Sequence, residues 1–215
     1  AIKGEGASPV SLFSSPLSAW FSEEEPRWGR SAMFHRSERL LLRPPWPEDW
    51  QAVHAGIADE GVVRNLARAP WPYAEDDARA WCAQSQDPYA PRFLITLADS
   101  GEVIGGIGLN PAEKPNGGGG AIELGYWIAR RHWGRGYASE AARAVIEVAR
   151  ACGHPRIVAS HFIDNPASGR VLRKAGFLPT GRIELRHSKG RGYESQTVGY
   201  ALDLEEVDQT LPAAA

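Results

Sequence analysis

Residues 123–142 read ELGYWIARRHWGRGYASEAA, and the reading of this stretch decides the fold. Glu123 to Ile128 is a short run rich in apolar and aromatic side chains, as strands are. Gly134 and Gly136 then punctuate the chain, and Ala138, Ala142, Val145, Ala149 and Cys152 recur at helical spacing until Gly153 and Pro155 stop the pattern. A strand that passes through a Gly-rich turn directly into a helix places unpaired N–H groups at the helix start, where an anion binds. The turn lacks the Lys-Ser/Thr of a P-loop and the spacing of the dinucleotide fingerprint. Taken alone, R-x-x-G-x-G fits ordinary turn chemistry equally well.

Downstream, Ile157 to Ile163 reads as a strand, Pro166 to Ala175 as a helix ended by Gly176, and Val198 to Leu202 as a last strand. Upstream, Arg39 to Arg43 is a strand closed by Pro44 and Pro45, and helices run from Pro47 to about Asp59 and from Ala74 to Ser85, each with acids in its first turn. Phe93 to Leu97 and Val103 to Leu109 flank the turn Asp99-Ser100-Gly101, as a hairpin does. Pro111 to Gly120 is a loop with four consecutive glycines, and Ala121 to Ala129 is the strand of the opening stretch. Strands early, followed by alternating strands and helices, predict an α/β fold with a mixed sheet flanked by helices.

At 215 residues the chain suits one domain, and 43% hydrophobic content supplies a core. The expected domain spans 36–207, with a short tail at 208–215. Residues 1–35 differ in composition and lack a period. They read either as non-native sequence ahead of a start at Met33 or as an arm that docks through Phe13, Trp20, Phe21 and Trp28. A net charge of −2 with interleaved acids and bases gives no reason to expect nucleic acid. Cys82 and Cys152 stand in no metal-ligand spacing, so no metal is expected, and they read as reduced thiols. Without an apolar run of about 18 residues or a secretory leader, a cytoplasmic protein with no membrane contact is expected.

The surroundings of the Gly-rich turn carry more. Glu123 to Ile128 leading into Trp133 to Ala138 resembles the acetyl-CoA pyrophosphate loop of the GNAT superfamily, and Glu140 to Ala142 continues it. Asn165-Pro-Ala-Ser168, then Leu172, Lys174 and Gly176-Phe177, are similar to the next motif of its RimJ/RimL-like branch of ribosomal-protein N-terminal acetyltransferases. Ser37 to Arg43 and Pro70 to Pro72 fit as well, so the resemblance covers roughly residues 37–203. It implies the GNAT-like acyl-CoA N-acyltransferase fold, with a mixed and mostly antiparallel sheet, acetyl-CoA as co-substrate, and dimers, which are common in such enzymes.

By that resemblance, the backbone of Gly134, Arg135, Gly136, Tyr137 and Ala138 holds the pyrophosphate, and Arg131 or Arg135 adds a charged contact. Trp127, Ile128 and Ala129 pair with the pantetheine arm, and an N–H among them polarises the thioester carbonyl. Asn165 reaches the cofactor near its thiol, or simply caps the helix that Pro166 begins.

Strand alternation puts Glu123, Gly125 and Trp127 on one face and Leu124, Tyr126 and Ile128 on the other. Glu123 is the candidate base, because a carboxylate in an apolar strand needs a cleft or an ion pair. The tyrosine that many superfamily members use to protonate the thiolate is Leu172 here. Ser168 is therefore the candidate acid, with Tyr193 and Tyr200 in reserve. The expected reaction is direct attack of a primary amine on acetyl-CoA. The acceptor is the N-terminal α-amine of a protein or peptide, with a small molecule such as a polyamine or antibiotic as the alternative. A third reading is a non-catalytic acyl-CoA sensor. Residues 183–197 are expected to form a loop at the acceptor cleft, with 186–193 as a mobile hairpin or a solvated turn.

Overall fold

The computed structural model describes residues 34–112 and 121–204. The readings of the N-terminal arm up to residue 33, of the glycine run and of the C-terminal tail lie outside these residues. Eight strands form one sheet in the order β1-β2-β3-β4-β5-β6-β8-β7. They are β1 (His35–Arg36), β2 (Leu40–Arg43), β3 (Arg92–Leu97), β4 (Val103–Pro111), β5 (Ile122–Ile128), β6 (Arg156–Phe162), β7 (Leu178–Ser188) and β8 (Tyr193–Asp203). All neighbours are antiparallel except β5 and β6.

One face of the sheet carries α4 (Tyr137–Ala151) and α5 (Pro166–Lys174). Leu124 and Ile128 of β5 pack there with Val145, Ala149, Leu172 and Phe177 in the larger core cluster. The opposite face carries α1 (Trp50–Ile57), α2 (Glu60–Val63) and α3 (Glu75–Ala83). Trp127, Leu94 and Val103 meet Val53, Val63 and Ala78 there. Each fully buried aliphatic or aromatic side chain contributes about 1.5–3 kcal/mol. The alternation expected along β5 therefore divides the two cores. No helix among the described residues is long and apolar enough to cross a membrane.

Two elements differ from the sequence reading. The helix expected from Pro47 begins as a 3-10 turn (Pro47–Asp49), and after α1 the chain restarts as α2, because Asp59 is extended (φ −133, ψ 125). The expected loop at 183–197 is a hairpin of two 11-residue strands, β7 and β8. The first six β7 side chains are all exposed, and the residues that turn inward in its second half, Glu184, Arg186 and Ser188, are polar, so no apolar period is there to read. Pairing with β8 makes β7 a strand.

The β5–β6 pairing matters most for function. These strands are in register at only two positions, Ile122 with Ile157 and Glu123 with Val158. Beyond Glu123 they part, which opens the β6-facing edge of β5.

Candidate active site

The opened edge leads to the Gly-rich turn. The Trp133 indole donates to the Ile128 carbonyl at 2.6 Å and folds the turn back on its strand. Gly134 and Gly136 take φ of 76° and 82°, which a side chain would strain. At the start of α4, Ser139 and Glu140 donate to the Gly136 carbonyl, each at 3.1 Å. The amides just before them have no intrahelical acceptor and form a ready anion site.

The loop is braced from below. The Glu140 carboxylate accepts from the Ser37 hydroxyl at 2.7 Å, and from the Arg39 backbone N–H and Nε at 2.8 Å each. Arg39 also donates to the Arg135 carbonyl at 3.1 Å and lies 4.8 Å over the Tyr137 ring. Burial pushes the Glu140 carboxyl up, but these hydrogen bonds outweigh it and hold the group below its ordinary value.

A cleft of about 410 Å³ runs along the loop, lined by Gly134, Gly136, Tyr137, Ala138 and Asn165, with Arg170 and Lys174 of α5 on its other wall. Arg131 and Arg135, the expected cationic contacts, are not among its lining residues. Arg131 is instead paired with Glu102 at 3.1 Å. The cleft's cations come from α5, one helical turn apart, a spacing that marks one helix face but not what that face meets.

Of the three residues expected to pair with pantetheine, Trp127, Ile128 and Ala129, only Ile128 has its amide on the open edge. The Ala129 N–H donates to the Ile104 carbonyl of β4 at 2.8 Å, and Trp127 pairs with Gly106 in the same register. By alternation, the amides that face the open edge belong to Tyr126 and Ile128, not to Trp127 and Ala129.

On the opposite face lies a second cleft of about 610 Å³. Gly106, Gly108 and Gly125 clear its floor; a Cβ on Gly125 would meet only Asn110 Nδ2, at 3.8 Å. One wall is α1 and α3, and the other is the β7–β8 hairpin. The hairpin is bolted down. The Lys189 N–H donates to the Ala67 carbonyl at 2.9 Å, and the Ser188 hydroxyl to the Leu66 carbonyl at 2.8 Å. Arg191 donates to the Asp164 carboxylate at 3.0 and 2.8 Å, and its Nε donates to the Arg64 carbonyl at 2.7 Å. This network corrects the expectation of a mobile hairpin or a solvated turn. Hydrogen bonding from Arg191 holds the Asp164 carboxyl below its ordinary value, with Arg64 adding to it.

Asn65, Leu66, Tyr126, Trp127 and Ser168 line both clefts, so the two meet there. At the junction the Tyr126 and Ser168 hydroxyls are 2.6 Å apart. Burial pushes the Tyr126 phenol up to about 12, against the opposing hydrogen bond of Ser168. Sequence reasoning singled out Ser168 but not Tyr126, because alternation alone places Tyr126 in the core.

Asn165 caps α5, its side chain accepting from the Ser168 N–H at 3.3 Å, while also lining the first cleft. Leu172 is 1% exposed, in the core. The reserve tyrosines lie elsewhere. Tyr193 is exposed, Tyr200 is buried where its hydroxyl accepts from Arg173 at 2.9 Å, and neither lines either cleft.

Glu123 lines the second cleft, but both its oxygens are held by Arg186, one at 2.8 Å, with Arg68 at 3.8 Å and Ser160 at 3.4 Å. The candidate base is therefore an ion-paired carboxylate. Strand position located it; its partner, 63 residues away, was not legible.

A sheet split at one strand pair, an anion-binding helix start on one side of the split and an open cleft on the other define an acyl-transfer scaffold. Residues 39–178 match the model of the acetyltransferase (GNAT) domain, and the chain belongs to this family. It is thus an acyltransferase. It is 30% identical over 164 residues to the uncharacterized N-acetyltransferase YoaA of Bacillus subtilis, covering 74% of this chain and 91% of that one. It is 35% identical over 100 residues to the ribosomal-protein-serine acetyltransferase of Escherichia coli, covering 46% of this chain and 53% of the relative. Its fold superposes on a RimL ribosomal L7/L12 α-N-protein acetyltransferase solved with coenzyme A. The TM-score is 0.65 at 24% identity, covering 79% of this chain and 97% of that one.

Proposed function

We propose that the protein acetylates the N-terminal α-amine of a peptide or protein by direct attack of that amine on acetyl-CoA. The observation that carries this reading is the meeting of the two clefts at the Tyr126–Ser168 hydroxyl pair. The amides of Gly136 to Ala138, with Arg170 and Lys174, hold the phosphates of the donor. The open-edge amides of Tyr126 and Ile128 hold its pantetheine arm, and one of them polarises the thioester carbonyl. The acceptor approaches over Gly125 from the opposite face. As the thioester opens, the Ser168 hydroxyl gives its proton toward the leaving sulfur, and Tyr126 donates to Ser168 behind it. One proton thus passes through the pair in each turnover, and the proton shed by the attacking nitrogen returns to it through water.

Removal of the amine's proton is the remaining step. An α-amine has a pKa near 8 against about 10.4 for lysine, so a usable fraction is neutral near pH 7. That suits a cleft whose Glu123 is clamped by Arg186. Glu123 takes the proton only when Arg186 lets go, which makes it an aid, not a requirement. The same cleft argues against polyamines. Its lining holds Arg68, Arg92, Arg186 and Lys189 against Asp77 and Glu123, where a polycation needs an acidic surface. The homodimer expectation, if realised, has a natural site on β7. This outer strand of the sheet exposes Leu178, Ile183 and Leu185.

The test is thiol release from acetyl-CoA with Ser- and Ala-starting peptides, free lysine, polyamines and aminoglycosides. Turnover on the peptides, lost in Ser168→Ala, is the expected result. Turnover confined to polyamines or aminoglycosides would overturn the acceptor assignment.

A further inference from the structure

Glu140 stands where a carboxylate works against an anion site. It lies in the first turn of α4, the helix whose opening amides hold the donor's phosphates on the proposed reading. A helix start presents the equivalent of about half a positive charge to an anion. A full negative charge within the same turn outweighs that half charge. The Glu140 side chain is only 10% exposed, so water screens it poorly. Its hydrogen bonds hold it below the ordinary carboxyl value, and it is ionised at neutral pH.

Arg39 of β2 answers this charge across 101 residues of chain. Its Nη2 lies 2.7 Å from Glu140 Oε2, and its Nε donates to the same oxygen at 2.8 Å. A Cβ on Gly136 would meet that Nη2 at 3.6 Å. The carboxylate is therefore closer to the turn at Gly136 than the ~8 Å over which physiological salt screens a charge. Nη1 of Arg39 donates to the Arg135 carbonyl at 3.1 Å. The guanidinium is thus wedged between the carboxylate and the turn. It does not line the cofactor cleft, and its donors are spent on the protein. Any effect it has on the donor passes through Glu140 and the turn.

We infer that Arg39 is a positioning residue for the donor's phosphates, keeping the anion site positive by cancelling the charge of Glu140. The inference rests on the acetyl-transfer reading and names what sets its donor affinity. The fold retains the carboxylate because it ties β2 to α4, accepting from the Ser37 hydroxyl and the Arg39 N–H. The cation from β2 removes the electrostatic cost of that tie. Charge cancellation and simple bracing make opposite forecasts. If Arg39 only braces the turn, removing Glu140 as well takes away the other end of the brace and deepens the damage. If it cancels a charge, removing Glu140 as well repairs the damage.

The test measures acetyl-CoA affinity by calorimetry for the native protein, Arg39→Gln, Glu140→Gln and the double variant, with thermal unfolding followed for each. Arg39→Gln is expected to weaken binding on the order of tenfold, the size of a charge acting at a part-buried helix start. The double variant is expected to recover most of that loss, and Glu140→Gln alone to bind at least as tightly as the native protein. Added salt should narrow the gap between Arg39→Gln and the native protein. Thiol release with acetyl-pantetheine, a donor without phosphate, should fall far less in Arg39→Gln than release with acetyl-CoA. Arg39→Lys keeps the charge and gives up the planar fork, so it should lose markedly less than Arg39→Gln. Arg150→Gln breaks a surface pair with Glu147 on the same helix and serves as the control.

A double variant as weak as Arg39→Gln would reduce Arg39 to a brace and overturn the inference. Equal losses with acetyl-CoA and acetyl-pantetheine, or Arg39→Lys no better than Arg39→Gln, would overturn it as well. Should Arg39→Gln not fold, Glu140→Gln decides alone: binding as tight as native or tighter supports the inference, and weaker binding overturns it. A native protein that binds no acetyl-CoA would instead sink the acetyl-transfer reading on which it rests.

Discussion

The cofactor cleft and the acceptor cleft are built by opposite means. The first is largely local: Trp133 bonds back to Ile128, Gly136 starts α4, and on the proposed reading backbone amides do most of the binding, with Arg170 and Lys174 beside them. The second is assembled from side chains far apart in the chain. Ser188 reaches Leu66 across 122 residues, Arg191 reaches Arg64 across 127, and Arg186 grips Glu123 across 63. A site made of backbone tolerates many side-chain changes and fails where the conformation itself is strained. A site made of side chains can change its preference with a single substitution while the donor side stays intact. Substitutions on the two sides should therefore separate into effects on acetyl-CoA affinity and effects on the acceptor, with the junction altering turnover alone.

The junction is expected to give the largest effect. Ser168→Ala should lower kcat about 100-fold while acetyl-CoA affinity by calorimetry holds. Next comes the cofactor loop. Gly136→Val puts a branched side chain at φ 82°, a strain of about 1–3 kcal/mol that should weaken acetyl-CoA binding by roughly tenfold or more. If acceptor KM rises as much as acetyl-CoA affinity falls, the two clefts are not separable as argued. Tyr126→Phe is smaller, about a tenfold loss in kcat, the size of one hydrogen bond to a developing charge. Added to Ser168→Ala, it should cost nothing further. Equal losses in both backgrounds would show that the hydroxyls act independently.

This contrast also explains what the sequence disclosed. Residues 123–138 bring strand, turn and helix start together in one short stretch, so their spacing could be read directly. The same reading placed Arg131 or Arg135 on the ligand, because a sequence shows a charge near a loop but not its partner; Arg131 pairs with Glu102. It placed the pantetheine on Trp127, Ile128 and Ala129 alike, because side-chain alternation is visible and amide direction is not. The acceptor side was nearly silent. The inward face of β7 is polar (Glu184, Arg186 and Ser188) and shows no apolar period, and Pro179 and Gly181 within it look like turn residues. Tyr126 and Ser168 lie 42 residues apart, and only the fold brings their hydroxyls together.

The smallest expected effect concerns what keeps the acceptor wall closed. Asp164 joins Arg191 and Arg64, and its carboxyl is held below the ordinary 3.8 by Arg191 first. A carboxyl lowered in the folded state adds stability above its unfolded pKa, and that stability is lost as pH falls through the folded value. The hairpin contact should thus be intact at neutral pH and loosen only in acid, below about pH 4. With Asp164 40% exposed, screening limits the contribution to about 1 kcal/mol or less. Amide exchange at Lys189, whose N–H is bonded to Ala67, reads it directly. Asp164→Asn should speed that exchange by a few-fold at pH 7 and raise acceptor KM, with acetyl-CoA affinity unchanged. The native rate, corrected for intrinsic exchange, should approach that of the variant as the pH is lowered. If Lys189 exchanges equally slowly in both proteins at pH 7, the wall is held by its backbone contacts alone. The acceptor cleft would then share the backbone construction of the cofactor cleft, and the difference between the two would disappear.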